Sequence, residues 1–85
     1  MHYLYLLYSK KAKEFYVGTT DNLEKRLHSH NNRENVATIS GAPWQLVYYE
    51  AYPTKNDALR REQRLKYYGQ GLRQIKSRIT LVDRP

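Results

Sequence analysis

The fold is decided by residues 3–18, which read YLYLLYSKKAKEFYVG. The runs 3–8 and 14–17 are rich in aromatic and branched residues typical of β-strands, and the polar segment 9–13 between them is typical of a turn. Gly18 is expected to end the second strand. The N-terminal part of the chain therefore predicts a β-hairpin.

The predicted hairpin singles out two tyrosines. The chain has 9 tyrosines, and most of them are expected in the core or at interfaces, because each has a large apolar body and a polar tip. Tyr5 and Tyr16 differ from the others by position: on opposite sides of the turn they lie close to opposite one another, on one face of the hairpin. Both are candidate catalytic residues.

A helix is predicted over residues 21–31, with capping oxygens offered by residues 19–22 and Glu24 as a capping-box partner for Asp21. One stripe of this helix consists of Leu23, Arg26, Leu27 and His30. Arg26 and His30 are therefore expected on its inward edge, while Glu24 and Lys25 face water.

The second half of the chain predicts a loop, a strand and further helical segments. Residues 32–43 lack periodicity and are rich in turn-forming residues, whereas 44–52 is aromatic and β-branched and ends before Pro53. A helix capped by Thr54 is then expected to run to near Gly69, and a short terminal helix to span residues 72–79. The apolar stripe of the longer helix consists of Ala58, Leu59, Glu62 and Leu65.

Composition favours a polyanionic partner. The chain has 85 residues, which is enough for one domain over residues 1–85, and a formal net charge of +7. Nucleic acid fits this charge better than an anionic membrane surface, because the basic residues are spread over the helices and the tail. The sequence contains no cysteine, signal peptide or membrane span, so a cytoplasmic protein that does not enter membranes is expected.

Glu62 and Arg26 each have two interpretations. A carboxylate on an apolar stripe is costly to bury unless it is paired or binds a cation, so Glu62 either forms a salt bridge to Arg61, Arg64 or Arg26, or holds a metal ion. Arg26 either pairs with a carboxylate or presents its planar donors to a phosphate oxygen. Their joint position on inward stripes favours a site, and Mg²⁺ with one protein carboxylate is chemically ordinary.

Tyr5 and His30 are candidates for proton transfer. A phenol beside an arginine and a bound cation can have its pKa lowered, which would let it take a proton from water. His30 lies one helical turn beyond Arg26 and could perform the same task or bind a phosphate oxygen. An inward histidine can also be a hydrogen-bonded core residue.

In this arrangement the chain resembles the GIY-YIG nuclease domain family, in particular its short single-domain bacterial members. The resemblance extends from Tyr3 to about Lys76. The two short motifs correspond to Leu4-Tyr5-Leu6-Leu7 and Tyr16-Val17-Gly18, and the later ones to residues 23–31, 46–50 and 58–62. The first motif lacks its usual glycine and isoleucine, and Thr19 stands where repair-nuclease relatives carry a lysine.

The resemblance implies an α+β fold with a small three-stranded antiparallel sheet flanked by helices. It also implies metal-dependent hydrolysis of DNA phosphodiesters, which would be structure-selective and linked to repair or recombination. By this correspondence Glu62 would hold Mg²⁺ or Mn²⁺ and Arg26 would contact the scissile phosphate. Tyr5 would act as general base or orient the water, supported by Tyr16 and His30.

Several basic residues could position DNA through its phosphates, namely Lys25, Arg33, Arg61, Lys66 and Arg73. Such contacts do not read sequence, so a partner protein could supply specificity to a monomer or weak homodimer. Two other functions stay open: a nucleic-acid-binding module with weak catalysis, and an interaction protein. The interaction protein would use exposed tyrosines from the set Tyr48, Tyr49, Tyr52, Tyr67 and Tyr68.

Overall fold

A three-stranded antiparallel sheet organises the protein. The computed structural model describes residues 1–79. Its strands are β1 (His2–Ser9), β2 (Glu14–Thr20) and β3 (Trp44–Tyr52), arranged in the order β2-β1-β3 with both pairings antiparallel. The predicted α+β fold with a small antiparallel sheet is confirmed.

The central strand β1 is buried on both faces. Leu4 and Leu6 point to one face, where they pack with Val17 of β2 and with helical residues. Tyr5 and Leu7 point to the other face and pack against the start of β3. Because successive side chains of a strand alternate between faces, this one strand contributes to two separate cores.

The hairpin register places Tyr5 opposite Gly18 and Leu7 opposite Tyr16. The two candidate tyrosines are therefore diagonal neighbours on one face, with ring centroids 6.4 Å apart. The expectation that Gly18 ends the strand was wrong, since β2 continues to Thr20. Gly18 serves another purpose: a Cβ there would lie 2.4 Å from the hydroxyl oxygen of Tyr5, so only glycine leaves room for the phenol ring.

Helix α1 (Leu23–Asn31) begins two residues later than predicted. Of the capping residues offered by 19–22, Asn22 is the N-cap, and its side chain accepts a hydrogen bond from the backbone N–H of Lys25. The segment predicted as a loop also contains a 3-10 helix over Val36–Gly41, which covers the same side of the sheet as α1.

The opposite face of the sheet is covered by α2 (Lys55–Tyr67) and α3 (Gly69–Ser77). Thr54 caps α2 as predicted, accepting a hydrogen bond from the backbone N–H of Asp57. The terminal helix begins three residues earlier than predicted, because burial of Ile75 in the core under the sheet outweighs the low helix propensity of its glycines. Residues 80–85 of the predicted domain lie outside the described residues.

Within the described part of the chain, none of the helices combines the length and apolar character that crossing a bilayer requires.

Substitution of Gly18 by alanine is expected to destabilise the fold by about 1–3 kcal/mol, because the new methyl group must displace the ring of Tyr5 from a packed core. Urea unfolding of the wild type and of Gly18→Ala measures this difference. Gly69→Ala is the matched control: no atom lies within 4 Å of a Cβ there, so its unfolding free energy should equal or exceed that of the wild type. Equal stability of the two variants would contradict the close approach of Tyr5 to Gly18.

Candidate active site

Helix α1 brings Arg26 and His30 to the sheet face that carries Tyr5. The Tyr5 hydroxyl lies 2.9 Å from Nε2 of His30 and accepts a hydrogen bond of 3.2 Å from Nε of Arg26. His30 is fully buried, whereas Arg26 is only partly covered. The predicted inward placement of both residues is confirmed by these contacts.

The C-terminal end of α1 is fixed to β3 by Asn31. Its side-chain amide donates to the backbone carbonyl of Trp44 at 3.1 Å, and its amide oxygen accepts from the backbone N–H of the same residue. Because Asn31 follows His30 directly, these two bonds set the position of the imidazole relative to the sheet.

Thr38 determines the proton distribution on His30. The Thr38 hydroxyl donates to the backbone carbonyl of Asn35 at 3.2 Å and lies 2.7 Å from Nδ1 of His30. A hydroxyl has a single hydrogen, so Thr38 must accept from Nδ1–H. Nε2 of His30 is then unprotonated and accepts the hydroxyl hydrogen of Tyr5. The chain of hydrogen bonds therefore runs from Arg26 through Tyr5 and His30 to Thr38.

Thr38 is held by its own neighbours. The indole N–H of Trp44 donates to the Thr38 carbonyl at 2.8 Å. Gly41 permits this arrangement, because a Cβ there would lie 2.3 Å from the indole ring. The 3-10 helix is thus a rigid support for the imidazole.

The expectation of a lowered phenol pKa involved a bound cation, and the protein alone does not lower the pKa of Tyr5. Burial raises the pKa of Tyr5, and the hydrogen bond and positive charge of Arg26 oppose this effect without overcoming it. The interaction with Tyr5 in turn raises the pKa of the Arg26 guanidinium. Tyr5 is therefore a neutral phenol that donates to His30.

Burial also lowers the pKa of His30 to about 4, and the positive charge of Arg26 adds to the effect. His30 is consequently neutral at physiological pH. A neutral imidazole is required for the hydrogen bond from Tyr5, since the imidazolium would have no acceptor nitrogen.

Tyr16 completes the aromatic wall of the site. Its ring centroid lies 5.1 Å from that of His30, with the planes inclined at 61°, and 6.3 Å from that of Trp44. Edge contacts of this kind fix ring orientation. The structure thus brings Tyr5, Tyr16, Arg26 and His30 together.

Glu62 approaches from the other helical layer. Ala58 and Leu65, on the same stripe of α2, are buried, and the Glu62 side chain is 18% exposed. Its negative charge is the weakest of the influences that raise the pKa of Tyr5, and within residues 1–79 Glu62 forms no hydrogen bond or ion pair with Tyr5, Tyr16, Arg26 or His30. Its salt-bridge partner is Lys66, at 3.3 Å, rather than any of the three arginines considered from the sequence.

The guanidinium of Arg61, a predicted DNA contact, is occupied by Glu50. It donates to both carboxylate oxygens of Glu50, at 2.9 and 3.1 Å. The hydroxyls of Tyr48 and Tyr52 donate to the same carboxylate. Burial alone would raise the pKa of Glu50, but these bonds from Arg61, Tyr48 and Tyr52 hold it below its ordinary value. The bidentate pair joins α2 to β3 directly beside Glu62.

The other predicted DNA-binding residues are exposed: Lys25, Arg33, Lys66 and Arg73. Lys25 lines a cleft of about 200 Å³ together with Arg26, between the end of β2 and α1. Lys66 lies beside Glu62. Arg33 and Arg73 form no hydrogen bond or ion pair with the candidate catalytic residues within residues 1–79.

Sequence reasoning missed two residues that shape the site. Thr38 lies in a segment without periodicity, where no pattern marked it. Glu50 did carry a signal, because Tyr48, Glu50 and Tyr52 alternate along β3 and must share one face. A carboxylate between two tyrosines on a buried face indicates a partner cation, which the structure identifies as Arg61.

Acid is expected to destabilise the wild type through His30. Between about pH 6.5 and pH 4 the unfolded chain binds a proton at this residue that the folded protein does not, so stability is lost as the pH falls through this range, by up to about 3 kcal/mol. Urea unfolding at a series of pH values measures this slope. In His30→Gln the other titrating groups are unchanged, so the slope of its unfolding free energy against pH should be smaller than that of the wild type. Parallel slopes would contradict a neutral buried His30.

Loss of the Thr38 hydroxyl is expected to let His30 populate both of its neutral tautomers. In Thr38→Val, Nδ1–H has no acceptor, so the Nε2–H form should become populated and the bond from Tyr5 should weaken. Imidazole ¹⁵N chemical shifts report the tautomer directly. Thr38→Ser retains the hydroxyl and should give wild-type shifts, and an unchanged spectrum in Thr38→Val would refute the assignment.

Comparison with known proteins identifies the family and the fold. The chain is 38% identical over 68 residues to a UPF0213 protein of Staphylococcus saprophyticus, covering 79% of this chain and 82% of the relative. It is 35% identical over 80 residues to one of Staphylococcus haemolyticus, covering 91% and 96%. The solution NMR structure of the UPF0213 protein BH0048 from Bacillus halodurans superposes with a TM-score of 0.55 at 26% identity, covering 91% of this chain and 84% of that one. The family model of the GIY-YIG catalytic domain matches residues 1–79, and the chain therefore belongs to the GIY-YIG family.

Proposed function

We propose that this protein is a metal-dependent endonuclease that hydrolyses phosphodiester bonds of branched or otherwise irregular DNA, in repair or recombination. The observation that carries the proposal is the hydrogen-bonded series Arg26–Tyr5–His30, together with the partly buried Glu62 of α2, in a chain of the GIY-YIG family. These groups can supply an electrophilic contact, a route for a proton and a metal ligand.

Glu62 is suited to hold Mg²⁺ or Mn²⁺. Its carboxylate is partly buried, and its salt-bridge partner Lys66 is 57% exposed and flexible, so the ammonium can move aside. Residues 1–79 contain no cluster of three or more acidic or histidine side chains that could hold an ion. A single carboxylate suits Mg²⁺, which keeps most of its water and binds substrate phosphate. When bound, such an ion supplies charge stabilisation at the phosphate.

Arg26 is suited to bind the scissile phosphate. Its Nε donates to Tyr5, its guanidinium also interacts with the Tyr16 hydroxyl, and the residue lines the same cleft as Lys25. A planar cation fixed at one nitrogen loses little further freedom on binding a phosphate oxygen. It also stabilises the additional negative charge that develops in the transition state.

Tyr5 is suited to pass a proton from the attacking water to His30. As a neutral phenol it can accept the water proton only while its own proton moves to Nε2 of His30. A phosphate bound at Arg26 offsets the positive charge that helps to lower the pKa of His30, so substrate binding makes the imidazole a better acceptor. Tyr16 and Thr38 hold the imidazole in place during this transfer.

Affinity for DNA is proposed to come from phosphate contacts of exposed cations, among them Lys25, Arg33, Lys66 and Arg73. Arg61 is not part of this set, because Glu50 occupies its guanidinium. Contacts of this type position a duplex without reading its bases. A partner protein is therefore proposed to supply target choice to a monomer or weak homodimer.

The decisive experiment measures cleavage of labelled flap, junction, nicked and duplex DNA with Mg²⁺ or Mn²⁺. We expect Glu62→Gln to lose the metal ligand and Arg26→Ala to lose the contact with the scissile phosphate. Each substitution should lower the cleavage rate by about 100-fold or more. Tyr5→Phe is expected to lower the rate strongly as well, because it removes the route to His30.

One exposed residue of α1 provides a matched control. Glu24→Gln removes one charge without touching Tyr5 or His30, and should cut within about 10-fold of the wild type. If Glu62→Gln retained the wild-type rate, the metal site would have to lie elsewhere. A wild type that binds DNA and cuts none of the substrates would favour a binding module.

A further inference from the structure

The outward face of α2 and its junction with α3 form a second surface, which the candidate active site does not use. Two adjacent aromatic residues protrude from it: Tyr67 is 84% exposed and Tyr68 is 72% exposed. Together with Arg60, Gln63 and Arg64 they line a groove of about 350 Å³. We call these five residues the tyrosine–arginine groove.

The position of the groove follows from the helical period of α2. Ala58, Glu62 and Leu65 form the stripe that faces the sheet. Arg60, Arg64 and Tyr67 lie on the opposite side of the helix. The fold therefore does not require these side chains for its core.

The charges in the groove are available to a ligand. Arg60 is 68% exposed and lies 3.6 Å from Asp57, a surface ion pair of little energetic weight. Arg64 is exposed and forms no ion pair within residues 1–79. The arginines of the groove are thus free to bind anions, in a protein with a formal net charge of +7.

Exposed aromatic rings beside arginines suit one type of ligand in particular. Unpaired nucleotides present both flat bases, which stack on tyrosine rings, and phosphates, which arginine binds. A paired duplex hides its bases and offers phosphates alone. We propose that the tyrosine–arginine groove binds a single-stranded nucleic acid segment, with bases on Tyr67 and Tyr68 and phosphates on Arg60 and Arg64. This inference deepens the proposed function, and rests on it for the assignment of DNA as ligand.

The surroundings of Tyr67 and Tyr68 distinguish them from the other tyrosines considered for an interface. Tyr48 and Tyr52 are bonded to Glu50 and cannot leave it without cost. Tyr49 is 55% exposed, but its ring makes an edge contact with Tyr3 on another part of the surface, with centroids 6.0 Å apart.

The test measures binding in the presence of EDTA, so that no cleavage is needed. Fluorescence anisotropy with a labelled oligothymidylate of about 15 nucleotides is compared with a blunt hairpin duplex. The double variant Tyr67→Ala/Tyr68→Ala is expected to weaken oligothymidylate binding by about 10-fold or more, because two stacking platforms are removed. Duplex binding should change by less than about 3-fold, because the arginines still bind its phosphates.

Three further variants give the comparison its specificity. Tyr67→Phe/Tyr68→Phe retains the rings and should bind oligothymidylate like the wild type. Tyr49→Ala removes an exposed tyrosine elsewhere and should also bind normally. Arg60→Ala/Arg64→Ala should reduce the salt dependence of oligothymidylate binding, by about 0.7 in the logarithmic slope for each phosphate that is no longer bound.

The outcomes separate this proposal from the proposed nuclease. If the protein cleaves no DNA but its oligothymidylate binding depends on the two tyrosine rings, the proposed nuclease activity is refuted and the proposed role of the groove is supported. Cleavage together with wild-type oligothymidylate binding by the double alanine variant would overturn the groove. It would likewise be overturned if sedimentation showed a dimer that Tyr67→Ala/Tyr68→Ala abolishes while oligothymidylate binding is unchanged, since a second copy of the chain would then be the occupant.

Discussion

The hydrogen bond between the Tyr5 hydroxyl and Nε2 of His30 is the contact on which the arrangement of the site depends. It joins the central strand to α1 in a region closed to water, where a phenol or an imidazole without a partner would be costly. Gly18 must lack a side chain for the ring to lie where it does, and Thr38 must accept the hydrogen bond from Nδ1–H of the imidazole. Parts of the chain far apart in sequence are thus constrained by one bond.

The same burial fixes the protonation states of the site. It raises the pKa of Tyr5 and lowers that of His30, so both groups are neutral, and Arg26 is the charged member of the series. The neutral pair Tyr5 and His30 lies behind the Arg26 guanidinium, and together they provide a fixed electrostatic field for a phosphate that approaches from the cleft. Glu62 lies on α2, which the bidentate pair of Arg61 and Glu50 fastens to the edge strand.

The backbone was more predictable from the sequence than the contacts within the site. The three strands and the cap at Thr54 follow from local patterns, because alternation, turn residues and capping oxygens act over a few positions. Gly18 shows where such reasoning fails: a glycine in a strand can end it or make room for a ring from the neighbouring strand, and only the register decides.

The pairing of charged side chains was also beyond local patterns. Arg61 and Glu62 are adjacent, so both were reasonable candidates for ligand contacts, yet they point in different directions and Glu50 takes one of them. Long-range partners of this kind depend on tertiary structure that propensity does not encode.

The central position of β1 also affects the order in which the chain can fold. β1 leaves the ribosome before β3, α2 and α3, yet one of its edges pairs with β3, which ends at Tyr52, and one of its faces is closed by Leu65 and Ile75. The hairpin with β2 can form early, but it exposes apolar side chains on both faces until these later elements have been synthesised. The hairpin alone therefore cannot bury its apolar side chains, and the complete fold requires residues as far along the chain as Ile75.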